Sequence, residues 1–439
     1  FIDQYESFWG AALEDLEGRV APIEPPPFTP VRQVLHENTD LRRVIPIDGN
    51  TVYNARDLMR SWPAGGPPEC WRVKIGLGQS GVTEANGRAF TLAQDDNKRW
   101  AICMDPRTGQ TLWKVAFPNA GCDSYGPMPT PLIDGDRFGR NDRLGRSDRV
   151  YVVPGRGHAL VCLNAADGTE IWTGPKAAWF STPMIVGDVL YANLAGPEPV
   201  AALNKLTGEI IWKAQPVPRG APSPASPVYQ IIDGIPQIVL VVGDGEISEV
   251  IGVSAASGEL FWKYPCTSLW GLAPTPVAVG SRLFVCDGSS SRPFSAWLQM
   301  YVRDGKIRAR QVSRSTRLQL NQVHTPAVFD GAVFGFSGRA LQCTSAVDGS
   351  LIWQKQDDDW YSNRQLIIAD GLIFASTTRG ELVLLEATKT GYKELGRVKH
   401  GTDFGDRQQP TIANGRLYIR GSESIVCYRV GPEPAQNGR

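Results

Sequence analysis

The chain of 439 residues carries 45 Lys plus Arg against 45 Asp plus Glu, a formal net charge of +0. That balance removes the long-range attraction a nucleic acid or anionic membrane would need. With 42% hydrophobic and 21% charged residues the chain can bury a core and is not a disordered polymer.

The first 69 residues stand apart from the rest of the chain. Ile2, Tyr5, Phe8, Trp9, Ala12, Leu13 and Leu16 share one face at helical spacing, which predicts an amphipathic helix over 2–16. Pro25, Pro26 and Pro27 then form a stiff spacer. The helix would either clip onto the rim of the following domain or dock on a partner, and Asp3, Glu6, Glu14, Asp15 and Glu17 disfavour an anionic membrane. No apolar run reaches the roughly 20 residues of a membrane-spanning helix, so no transmembrane segment is expected. A start at Phe1 instead of Met suggests that a leader, an anchor or other preceding sequence has been removed, without telling which, and a periplasmic, secreted or cell-envelope location is the expectation.

From residue 70 a unit recurs in which apolar strands and turns lead to a Gly followed four residues later by Trp. The clearest copies are MDPRTGQTLW ending at Trp113, LNAADGTEIW at Trp172, LNKLTGEIIW at Trp212, VSAASGELFW at Trp262 and TSAVDGSLIW at Trp353. Two copies have drifted, with Ala309 after Gly305 and Leu395 after Gly391 where Trp is expected. Each unit reads as a four-stranded antiparallel meander, because alternating apolar residues are separated by Gly, Asp and Asn turns. The indoles are expected to pack between neighbouring sheets. First strands begin near Gly81, Pro131, Pro183, Pro227, Pro276, Pro326 and Leu366. After Pro410 only three strands' worth of sequence remains, and CWRVKIG at 70–76 supplies the missing outer strand, with Trp71 opposite the stretch near Cys427. The expectation is an all-β, eight-bladed propeller over 70–429, closed by its N-terminal strand, with an extension at 1–69 and a tail at 430–439.

Residues 136–149 repeat the pattern DRFGRN, DRLGRS, DR, in which Asp136, Asp142 and Asp148 offset the Arg residues, so a solvated, self-paired loop is expected. Cys103, Cys162, Cys343 and Cys427 share one slot just before the repeat's turn, where a small half-buried side chain suffices. Cys70, Cys122, Cys266 and Cys286 lie elsewhere with no metal-ligand spacing, and with His at 36, 158, 324 and 400 only, no metal site is expected. The acids at 357–359 read as a solvated loop.

Binding residues are sought in the connections that lead into the first strands. These read CDSYGPMPTP, AWFSTP, SLWGLAPTP, DDDWYSNR and DFGDRQQPT, and they place Tyr125, Trp179, Trp270, Trp360, Tyr361 and Phe404 at comparable positions. Asp123, Arg364, Asp406, Arg407 and His324 stand among them. Such a ring suits a carbohydrate, a peptide or a planar cofactor, and equally a structural lid over the channel. No GxSxG, HExxH or Walker motif occurs, so no catalytic residue is expected.

The five Gly-x-x-x-Trp units, with SWPAGGPPECWRVKIGLGQSG before them, resemble the PQQ-like β-propeller repeat proteins over about 70–429. That fold is similar to the quinoprotein alcohol dehydrogenases and to the propeller lipoprotein of the outer-membrane barrel-assembly machinery. The resemblance implies eight blades. The dehydrogenase site does not carry over, because no two Cys are adjacent to form its vicinal pair, no CxxCH is present, and the calcium-binding and catalytic acids have no matching positions. The lipoprotein's anchoring Cys near the mature start is also absent. The expected function is a non-catalytic scaffold binding a protein or glycan, with no cofactor. The alternatives are a dehydrogenase using PQQ and calcium, and a subunit docked through its N-terminal helix.

Overall fold

The computed structural model describes residues 48–95, 98–117, 125–134, 149–217, 223–243, 248–266, 274–287, 294–315, 325–360, 365–401 and 409–432. The helix expected over 2–16 and the tail from 433 lie outside them, as does most of the 136–149 repeat. In the first blade, Thr83–Ala85, Arg88–Asp95, Lys98–Met104 and Thr111–Phe117 pair in sequence order as antiparallel strands. Six more blades follow the same order over 132–176, 184–213, 228–266, 277–315, 327–356 and 366–399. The eighth sheet consists of Thr411–Ala413, Arg416–Arg420 and Ser424–Arg429, with Glu69–Lys74 as its outer strand. Trp71 stands opposite Cys427 in that pairing, so the two ends of the ring are joined by backbone hydrogen bonds. First strands touch between blades eight and one, one and two, four and five, five and six, and six and seven, which places them around the central channel. This is the eight-bladed propeller expected from the repeats.

Turn chemistry sets the hairpins. Asn86-Gly87, Asp233-Gly234, Asp330-Gly331, Asp370-Gly371 and Asn414-Gly415 each hold two successive residues at positive φ between first and second strands. Two-residue hairpins need that geometry because its twist matches the strands, and Asn or Asp followed by Gly adopts it at least cost.

A single row of side chains explains the repeat. In blade one, Phe90 pairs with Cys103 and Cys103 with Trp113, across three adjacent strands. The small slot opposite the indole is Cys103, Cys162, Ala202, Gly252, Cys343 and Cys427 in six blades. A larger residue there would meet the ring. At Gly252 a Cβ would run into the Trp262 indole. The indole then reaches the next blade. Trp71 Nε1 donates to Pro106 O, Trp113 to Ala165 O, Trp172 to Lys205 O and Trp353 to Thr388 O. The rings of Trp71, Trp113, Trp172 and Trp212 lie on Gly109, Gly168, Gly208 and Gly258 of the following blade. Gly and Trp of one motif thus serve two different interfaces. The motif's glycine receives the indole of the preceding blade, and its tryptophan docks on the glycine of the next. Trp262 differs, for its Nε1 donates to Gln237 Oε1 within its own blade.

The drifted copies correct the expectation that Ala309 and Leu395 stand in the indole slot. A bulge, not a count from Gly, fixes the register. In blade five the slot is Ser313, and the indole has moved to the opposing strand as Trp297, 5.0 Å from Phe284. In blade seven the slot is Gly396, across from Leu384, and Trp62 from the extension lies over that glycine, 6.3 Å from Phe374. The packed body therefore begins well before the first repeat. Leu58 N donates to Asp370 Oδ2, Met59 N to Val430 O, and Arg60 forms an ion pair with Asp370.

Beyond the outer strand of blade seven, His400 is wholly buried. Burial, with the Arg72 guanidinium nearby, lowers its pKa from 6.5 to about 4. The unfolded imidazole, near pH 6.5, accepts a proton that the folded one refuses, so stability is complete above that pH and declines as pH falls toward about 4. The expected loss is up to about 3 kcal/mol. His400→Gln should flatten this part of a stability-against-pH profile measured by urea unfolding.

Candidate functional site on the crossover face

The interior of the ring is shared with the chain's own extension. Asp48 O accepts from Ala278 N, and Asn50 uses both amide atoms on the Val328 backbone, with Nδ2 donating to O at 2.8 Å and Oδ1 accepting from N at 2.9 Å. Thr51 O accepts from Ile368 N, and Val52–Tyr53 pair in parallel with Ile368 and Ala369. Residues 48–53 thus run along the channel-side edges of the first strands of blades five, six and seven. A Cβ at Gly49, where φ is +75, would strike Pro276 O, so the segment and the wall fit as closely as a folded core.

Where the outer strands cross into the first strands of blades two to six, the blades are joined by a chain of hydroxyls. Gly81 N donates to Thr130 Oγ1, Thr130 N to Thr182 Oγ1, Thr182 N to Ser226 Oγ, Ser226 N to Thr275 Oγ1 and Thr275 N to Thr325 Oγ1. Each hydroxyl residue is buried and stands directly before a proline, so the Ser/Thr-Pro pair is the sequence signal for this chain. The prolines by themselves mark only the strand starts. Thr182→Val keeps the shape but leaves the Thr130 N–H unmatched. Urea unfolding should show a loss of about 1–3 kcal/mol, the usual cost of an orphaned buried donor.

Around this ring of hydroxyls lie the aromatic candidates. Tyr125 is 45% exposed, on the connection between blades one and two. Trp179 is half-buried on the next connection, its ring 3.5 Å from that of Phe180, with the Arg156 guanidinium 5.8 Å away. Arg156 belongs to the hairpin loop Pro154–His158, which also brings His158 close. Burial and the Arg99 guanidinium lower the His158 pKa. Trp360, a candidate for the channel mouth or for a lid over it, turns inward. It is 1% exposed and stacks on Phe336 at 5.6 Å within the core shared by blades six and seven, so it offers no face to a ligand. Trp270, Tyr361, Arg364, Asp406, Arg407 and His324 lie outside the described residues. In the acidic loop, Asp358 forms an ion pair with Arg339 at 2.8 Å.

The ring interior is lined on the blade five to seven side by residues 48–53. Among the described residues no three His, Cys, Asp or Glu side chains converge to hold a metal, and no two cysteines are neighbours in sequence. A cleft of about 120 Å³ between Val217, Ile251 and Leu260 is well below the roughly 300 Å³ of a small-molecule site.

The chain is an eight-bladed propeller closed by an N-terminal strand, with indoles docked at a repeated Gly-x-x-x-Trp. Residues 97–300, a little under half of the chain, match the family model described as outer membrane protein assembly factor BamB. Among solved structures the chain is similar to BamB from Moraxella catarrhalis, at 14% identity and a TM-score of 0.57, covering 84% of this chain and 98% of that one. It is also similar to the quinohemoprotein alcohol dehydrogenase ADHIIG from Pseudomonas putida HK5, at 12% identity and a TM-score of 0.58, covering 91% and 82%. The quinohemoprotein alcohol dehydrogenase of Comamonas testosteroni gives 12% identity and a TM-score of 0.57 over 90% and 81%. At such identities these structures share a fold, and fold alone assigns no chemistry. Comparison with curated protein sequences gives no match.

Proposed function

We propose that this chain is a non-catalytic propeller that acts as a protein-binding scaffold in the bacterial cell envelope, of the barrel-assembly-factor type. The observation that carries the reading is the course of residues 48–53, which commits part of the ring interior to the chain itself and leaves recognition to the outer faces. On the crossover face, Tyr125 and the Trp179, Phe180 and Arg156 group supply the apolar area and the cation that protein interfaces favour. The neutral formal charge favours a protein over a polyanion.

The test is affinity capture from native envelope extract with the full chain, beside Trp179→Ala and Arg156→Ala variants. A stoichiometric protein partner whose retention falls in both variants supports the scaffold reading. The contrary result is the appearance of a quinone spectral band and dye reduction on adding PQQ with calcium. Removing residues 1–45 in the same experiment tests the N-terminal segment, since partner loss with an intact ring would assign docking to it.

A further inference from the structure

In the blades with an indole on the outer strand, the residue before that indole lies at the bulge, beside the small slot of the neighbouring strand. It is Leu112, Ile171, Ile211 or Ile352 in blades one, two, three and six, each exposed and hydrocarbon, and the buried Phe261 in blade four. The ring-closing blade departs from this. Its residue before Trp71 is Cys70, and the small slot opposite is Cys427, so a thiol stands on each of the two strands that close the ring. Cys70 is half-buried and packs against the cluster that contains Cys427, Trp71 and Tyr418. The two thiols are close enough to interact. Burial, with Cys70 beside it, raises the Cys427 pKa.

We propose that Cys70 and Cys427 form a redox clasp, a disulfide that converts the hydrogen-bonded closure of the propeller into a covalent one. The partner reagent is a disulfide oxidant. The more accessible Cys70 thiolate attacks it, forming a mixed disulfide and releasing one thiol. Cys427 then loses its proton and displaces the second thiol, so the protein loses two hydrogens and the oxidant's sulfur–sulfur bond is reduced to two thiols. Cys103, Cys162 and Cys343 face indoles in the equivalent slot with no thiol before the Trp. Their blades remain as they are.

Placement gives the clasp its effect. The bond would link residue 70 to residue 427 and so enclose nearly the whole propeller. A long loop loses the most chain entropy in the unfolded state. The folded-to-unfolded ratio should rise on the order of a hundredfold.

The experiment oxidises the full native chain with oxidised glutathione, blocks remaining thiols and maps tryptic peptides without reduction. The expected product joins peptide 61–72 to peptide 421–429, and the urea midpoint rises and returns on reduction. Cys70→Ser and Cys427→Ala should each abolish the linked peptide and the shift. Cys427→Ala keeps the fold testable, since Ala202 holds this slot in blade three. Recovery of both thiols free, linkage of Cys70 to another cysteine, or a linked peptide with no change in midpoint would each overturn the clasp.

Discussion

Trp172→Ala should lower the unfolding free energy by about 3–5 kcal/mol, the range for removing a buried indole. Three contacts disappear together. The ring lies against Gly208 of the next blade, 5.7 Å from Tyr151, and its Nε1 donates to Lys205 O at 3.2 Å. The cavity would open between blades two and three, where neither sheet can collapse without breaking the alignment of the other. The reciprocal change, Gly208→Ala, attacks the same contact from its partner side. A Cβ there would stand 2.7 Å from the Trp172 ring at a φ of +75, so clash and strain add. Urea unfolding of the full chain reads both. Trp179→Ala, a half-buried indole on the crossover face, should cost far less in the same assay.

Glu84→Ala should cost a similar amount, about 3–5 kcal/mol, because it removes the carboxylate from a buried ion pair with Arg416. Glu84 sits on the first strand of blade one and joins three residues of blade eight. Asn414 Nδ2 donates to it at 2.9 Å, Arg416 Nη1 at 3.0 Å and the Tyr418 hydroxyl at 2.5 Å. Burial raises its pKa, and these three donors offset part of that rise. Replacing the pair by hydrocarbon in Glu84→Met with Arg416→Met should recover much of the loss, since the desolvation of both charges is then avoided. A single variant as stable as the parent would show that this contact does not hold the first blade to the last.

These two interfaces differ in how far the sequence announces them. The indole slot repeats, so Trp113, Trp172 and Trp353 can be read directly, as can the closing strand at Trp71. The bulge that shifts the register by a residue or more leaves no mark in the spacing, and for that reason Ser313 and Gly396 do not stand out as slot positions. Trp62 occurs once, outside any period, and its role depends on Gly396 lacking a side chain more than three hundred residues later. Glu84 is silent because nothing local distinguishes it from any polar residue near a hairpin. The same logic explains Trp360, for an aromatic on a connection looks alike whether it faces solvent or turns inward onto Phe336. The candidate site is legible as a region, through its connections, and not residue by residue.

The ring closure and the lining of one side of the interior rest on two short stretches, 69–74 and 48–53, each held by a partner far away in sequence. Native-state hydrogen exchange of the intact chain measures both at once. Slow exchange of the Val73, Ile75, Val328 and Ile368 amides, matching that of the blade cores, is the predicted result. Val73 and Ile75 amides that exchange at the rate of a free chain while the other blades stay protected would contradict it.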